Sequence, residues 1–125
     1  MDEEIKILLV DDEADFTRPM SAWLNSEGYS VTIAEDGGAA INLIRENPPD
    51  IVFLDLKMPG MDGAEVLRNI RAFNKDIPII IITAYVDDPK VKEMGEHGIS
   101  GVFYKGDDFI EGLSLIKSVL RLKRK

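Results

Sequence analysis

Five short apolar segments recur along the chain: IKILLV (5–10), YSVTIA (29–34), DIVFLD (50–55), PIIIIT (78–83) and GVFYK (101–105). They are rich in Val, Ile, Phe and Tyr, residues that suit a pleated, packed surface. The segments at 5–10, 50–55 and 78–83 are nearly continuous in apolar residues. A strand that is apolar on both sides must be covered on both sides, as in a parallel sheet flanked by helices. YSVTIA alternates more and is expected nearer an edge.

Stretches of helical spacing separate these segments. Phe16, Met20, Trp23 and Leu24 mark one face of the first, with Gly28 placed to end it. Ala40, Ile41 and Ile44 mark the second, stopped by Pro48-Pro49. Val66, Leu67, Ile70 and Phe73 mark the third, with Asp62 positioned to cap its start. The fourth, around 89–96, is weakest, since Val91 and Met94 are its only large apolar residues. The fifth carries Ile110, Leu113, Ile116, Val119 and Leu120 on one side. A β-α unit repeated five times, joined by right-handed crossovers, gives an open parallel sheet with helices on both faces. No composition shift divides residues 1–125, so one domain is expected, with its core at about 5–122.

Composition narrows the function. Apolar residues make up 45% of the 125, enough for a packed core, and the absence of cysteine excludes disulfides and thiolate zinc sites. The acidic start, MDEEIK, is unlike a secretory signal, and the longest apolar run is too short to cross a bilayer. A cytoplasmic protein with no membrane association is the resulting expectation. The net charge of −8 argues against direct nucleic-acid binding through the general field of the domain. The basic end, residues 121–125, is read as cations offsetting a helix dipole.

The chemistry gathers at the carboxyl ends of the strands, where open α/β sheets bind ligands. Asp11 and Asp12 follow the first strand, Asp55 ends the third, Thr83 the fourth and Lys105 the fifth. If the first and third strands are neighbours, all five side chains share one edge. Two carboxylates about 4 Å apart repel by about 4 kcal/mol at an effective dielectric of about 20, so a cluster needs a cation. Oxygen ligands with no histidine or cysteine suit a hard ion such as Mg²⁺. A divalent cation, the Lys105 ammonium and the Thr83 hydroxyl together make a cradle for a phosphoryl group.

The acidic pair in LLVDDE, the aspartate and turn of DLKMPGMDG, Thr83-Ala84, Lys105 and the phrase EGYSVTIAEDGGAA now carry a resemblance. In this order and spacing they make the chain similar, over essentially its whole length, to a response-regulator receiver domain of two-component signalling. The resemblance implies a flavodoxin-like (βα)5 fold with strand order 2-1-3-4-5. It puts the phosphate-acceptor role on Asp55. It makes Asp12 a direct Mg²⁺ ligand and has Asp11 act mainly through metal-bound water. Asp55 and the backbone carbonyl of Lys57 complete the protein's share of the coordination, while Thr83 and Lys105 contact phosphoryl oxygens. The implied donor is a sensor histidine kinase, a phosphotransfer protein or a small acyl phosphate. The implied reader is a downstream protein or output domain, docking near the fourth helix, fifth strand and fifth helix. Dimerisation on phosphorylation is a further implication.

Two positions depart from the family pattern. Val102 stands where an aromatic switch residue is common, and Gly106 follows Lys105 where proline is common. Tyr85 and Lys57, each two residues past a site position, are expected to overhang Asp55 and slow loss of a phosphoryl group. Other readings remain at this stage. Asp11 and Asp12 can cap a helix, and His97 in GEHG can be merely solvated. A phosphatase with an aspartate nucleophile is a different class of function, but a second aspartate two residues on is replaced by Lys57. A receiver used only for docking, without phosphorylation, is the third.

Overall fold

The computed structural model describes residues 4–85 and 87–123, with 122 and 123 described by backbone alone. In chain order the elements are β1 (Lys6–Val10), α1 (Ala14–Ser26), β2 (Ser30–Ala34), α2 (Gly37–Glu46) and β3 (Ile51–Asp55). Then come α3 (Gly63–Phe73), β4 (Ile79–Thr83), α4 (Pro89–Gly95), β5 (Gly101–Tyr104) and α5 (Phe109–Lys123). The strands form one parallel sheet of order β2-β1-β3-β4-β5. The first and third strands are therefore neighbours, with Val10 opposite Leu54.

The near-continuous apolar strands are split between two cores by their alternation. Leu8, Val10, Val52, Leu54, Ile79 and Ile81 face one core with α2, α3 and α4. Ile7, Leu9, Ile51, Phe53, Ile80 and Ile82 face the other with α1 and α5. All of β3 and β4 is buried, whereas Thr32 and Ile33 of the edge strand β2 are exposed. This is the distribution that their apolar patterns predict.

Local chemistry sets the helix ends. Gly28, at φ +98°, lies just past α1 in a conformation that favours glycine, and the next N–H, of Tyr29, returns to the Leu24 carbonyl at 3.1 Å. The Asp62 carboxylate accepts from the Glu65 N–H at 3.0 Å and caps α3. Asp36 and Asp88 cap α2 and α4 in the same way, which the apolar spacing alone does not reveal.

The phase of α5 differs from the sequence expectation at its start. Ile110 is 58% exposed, while Phe109 packs against Phe16 and Trp23 with ring centroids 6.4 and 5.9 Å away. Gly112 sets that phase: a Cβ there would stand 3.3 Å from the Met20 methyl and 3.4 Å from the Phe103 ring. The inward stripe therefore runs Phe109, Gly112, Ile116, Val119 and Leu120, with Leu113 half-buried. Phe73, expected on the core face of α3, lies at its margin under the Arg45 guanidinium, 4.7 Å from the ring centroid. Of the basic end, Arg124, Lys125 and the side chains of Leu122 and Lys123 lie outside the described residues. Among the described residues no helix is long and apolar enough to cross a membrane.

Candidate functional site

The parallel sheet delivers the ends of β1, β3, β4 and β5 to one rim, and a cleft of about 340 Å³ opens there. Asp12, Glu13, Asp55, Lys57, Thr83, Tyr85 and Lys105 line it, and Asp11 lies buried beneath. Asp11 is fixed by its own N–H, which donates to the Ala34 carbonyl of β2 at 3.0 Å. Its Oδ1 accepts the Glu13 N–H at 3.0 Å. Asp55 is the last residue of β3, is 4% exposed, and accepts the Lys57 N–H at 3.4 Å. Asp11, Asp12 and Asp55 each present a carboxylate oxygen within 4.8 Å of the others.

Lys105 is the principal counter-charge. Its Nζ lies 3.0 Å from Asp11 Oδ2 and 3.6 Å from Asp55 Oδ2, and it also donates to the Glu13 carboxylate. Burial opposes the ammonium form, but hydrogen bonds to Glu13 and Asp11 and the charges of Asp55 and Asp11 outweigh it. The Lys105 pKa therefore lies above the usual lysine value. One lysine does not neutralise the cluster. Burial first, and then the Asp11 charge, push the Asp55 carboxyl up to about 7 against the pull of Lys105.

These donors fit a hard divalent cation. Asp11 Oδ2 is buried, and its one protein partner among the described residues is the Lys105 ammonium at 3.0 Å. A buried carboxylate oxygen with a single cationic partner beside two further carboxylates, with no nitrogen or sulfur ligand among them, matches the ligand preference of Mg²⁺.

The remaining sequence candidates fall around this centre. Thr83 is buried, and its hydroxyl is held by the Tyr85 backbone, accepting the N–H at 3.1 Å and donating to the carbonyl at 3.3 Å. The Lys57 ammonium stands 4.7 Å above the Tyr85 ring and 3.7 Å from Asp88 Oδ2. Val102 packs, half-buried, on the core beneath α3 and α4. Gly106 lies in a turn closed by the Asp107 N–H to the Tyr104 carbonyl at 2.9 Å. His97 is half-buried outside the cleft, in a loop whose carbonyls at His97 and Gly98 accept from Arg71 at 3.3 and 2.7 Å.

Two contributors escaped the sequence reading. Glu13 occupies the N-cap of α1 yet makes no side-chain cap bond, giving its carboxylate to Lys105 instead. Its signal is a poor capping residue at a helix start directly after two aspartates. Gly63 was read as part of a turn, but a Cβ there would sit 2.3 Å from the Asp55 carbonyl oxygen. Glycine lets α3 begin against the backbone of the strand that carries Asp55.

Comparison with known proteins agrees with this geometry. The family model for the response regulator receiver domain matches residues 7–117. The chain is 36% identical to sporulation initiation phosphotransferase F of Bacillus subtilis, covering 94% of this chain and 95% of that protein. It is 35% identical to the probable transcriptional regulatory protein TcrX of Mycobacterium tuberculosis, over 97% of this chain but only 49% of that one. Among solved structures, the chemotaxis protein CheY4 of Vibrio cholerae superposes with a TM-score of 0.85 at 28% identity, covering 94% of this chain and 99% of that one. With its (βα)5 fold, strand order and acidic rim, the chain belongs to the response-regulator receiver domains of two-component systems.

Proposed function

We propose that this receiver is a phosphorylation-gated switch whose acceptor is Asp55, charged by a sensor histidine kinase, a phosphotransfer protein or a small acyl phosphate. Receivers are in general signalling switches rather than metabolic enzymes, and Mg²⁺ binding at an acidic pocket is typical of them. The observation that carries the reading is the burial of Asp55 within 4.8 Å of Asp11 and Asp12, beside Lys105.

In the transfer, an Asp55 oxygen attacks phosphorus in line and forms the new P–O bond. The bond from phosphorus to the donor's imidazole nitrogen or acyl oxygen breaks, and the donor keeps that electron pair. Asp12, Asp55 and the Lys57 carbonyl would hold Mg²⁺ directly, with Asp11 acting through bound water. The ion supplies charge neutralisation for the attacking carboxylate and the transferring group. Lys105 already pairs with the carboxylate that becomes modified, so it has only to follow the new negative charge. Thr83 must exchange its bonds to the Tyr85 backbone for one to a phosphoryl oxygen, which moves the loop after β4. Lys57 and Tyr85, stacked on the cleft wall, restrict water's approach to the acyl phosphate and lengthen its life.

The name phosphotransferase on the Bacillus relative supports a role in phosphoryl relay, and the regulatory name on the mycobacterial one supports an output domain or separate target as reader. The face of α4, β5 and α5 is the proposed docking surface, including for a second phosphorylated copy. Intact-mass measurement after incubation with acetyl phosphate tests the assignment. One phosphoryl adduct is expected with Mg²⁺, and none without Mg²⁺ or in Asp55→Ala. An adduct that survives in Asp55→Ala defeats the acceptor assignment, and rapid multiple turnover points to a phosphatase. Replacing Lys57 and Tyr85 together by alanine should accelerate decay of the adduct, and an unchanged rate refutes the shielding role.

A further inference from the structure

The starts of α3 and α4 are strapped together by two crossed ion pairs. Asp62 caps α3 through one oxygen and binds the Lys90 ammonium of α4 through the other, at 2.7 Å. Asp88 caps α4 through Oδ1, accepting the Lys90 N–H at 2.9 Å, and faces Lys57 through Oδ2 at 3.7 Å. Lys57 belongs to the loop that joins the end of β3 to α3. The α4 cap is thus charge-linked to a residue two positions from Asp55.

The two members of that second pair differ in freedom. The Asp88 side chain is 8% exposed, whereas that of Lys57 is 62% exposed. Asp88 is therefore seated, while Lys57 is a long cation free to turn between Asp88 and the cleft it also lines. Lone ion pairs of this exposure are weak and readily exchanged. An acyl phosphate carries about −1.5 to −2 of charge where the Asp55 carboxylate carries at most −1, which makes the cleft a stronger rival to Asp88 for this cation.

We propose that Asp88 and a phosphoryl group on Asp55 compete for Lys57, so that loading Asp55 withdraws the cation from the α4 cap and loosens the start of α4. The inference rests on the acceptor role proposed above and specifies how that site reaches α4. It also bears on Val102: where position 102 of β5 holds no aromatic ring to relay movement of Thr83, an exchange of charge partners does the work. Loss of Lys57 leaves the buried Asp88 carboxylate with its Lys90 N–H bond but without its ion-pair partner. The first turn of a helix with one buried side chain, Met94, then opens more often.

Hydrogen exchange at the amides of residues 90–95, read by mass spectrometry or NMR, tests this in the wild type, Lys57→Gln and Asp88→Asn. Asparagine keeps the cap and removes the charge. Loading with acetyl phosphate and Mg²⁺, verified by intact mass, should raise exchange there by about fivefold to tenfold in the wild type. Both variants should show a rise of similar size before loading, and less than about twofold further change after it. An adduct in the wild type with no change at α4 overturns this inference and leaves Asp55 as acceptor. Variants that respond to loading as the wild type does also overturn it. Absence of any wild-type adduct instead overturns the acceptor role, and the exchange with it.

Discussion

α3 and α4 begin alike and are held differently. Each follows a strand that ends at the cleft, and each opens on an aspartate cap. α3 runs 11 residues and buries Gly63, Ala64, Val66, Leu67 and Ile70, whereas α4 runs 7 and buries Met94. The first residue of α3 lies against the carbonyl of Asp55 itself. The two helices that leave the rim after β3 and β4 are therefore held by different forces. Packing fixes α3 to the strand that ends at Asp55; at α4, caps and ion pairs carry more of the attachment. Packing is lost only by local unfolding, but charge partners can be traded in place. Under the function proposed above, holding Asp55 still while reporting on its state calls for one helix of each kind.

The largest effect expected from this contrast is at Gly63. Alanine there forces its Cβ onto the Asp55 carbonyl and should cost about 3 kcal/mol or more in urea unfolding, displacing Asp55 as well. A cost below about 1 kcal/mol would mean that α3 is not anchored as described. Next, Ile70→Ala, fully buried in α3, should cost about 3 kcal/mol, against about 1 kcal/mol or less for Val91→Ala, half-buried in α4. Equal losses would erase the distinction between the two helices.

A third prediction concerns Asp55 itself. The folded protein holds the Asp55 proton up to about pH 7, while a free carboxyl releases it near 3.8. This contribution to stability is full below about pH 3.8 and is lost as pH rises to about 7, because the unfolded chain gives up the proton first. Asp55→Asn should therefore be more stable than wild type at pH 8 without Mg²⁺, by about 1–2 kcal/mol once solvent screening in the cleft is allowed for. The gain should vanish toward pH 4 and shrink when millimolar Mg²⁺ is added, both readable by thermal melting. The smallest effect separates the caps: Asp62→Ala should lower global stability by about 1 kcal/mol, and Asp88→Ala by less than about 0.5. Chemical denaturation that reverses this order breaks the comparison.

The contrast also marks what the chain disclosed before folding. The strands were legible because two-sided burial leaves apolar runs, and α3 because Val66, Leu67 and Ile70 repeat at helical spacing beside a capping aspartate. The acidic pair, Asp55, Thr83 and Lys105 were legible because a parallel sheet must collect strand ends at one rim, where the structure brings them together. Glu13, Asp88 and Lys90 were opaque. Their roles depend on which partner each long or flexible side chain meets across loops, and local periodicity is blind to that. Ile110 misled for a related reason: helix phase was set by Gly112 against Phe103 and Met20, a contact between distant parts of the chain.

The parallel sheet has a practical corollary at its opposite rim. The Gly28 turn, the Pro48-Pro49 loop and the Asn74 loop all lie where strands begin, a full strand length from Asp55. Around Gly28 a Cβ would meet nothing within 4 Å. A fluorescent reporter or an affinity handle attached to the exposed Glu27 side chain beside that turn would ride on the molecule as a passenger, far from the acidic cleft.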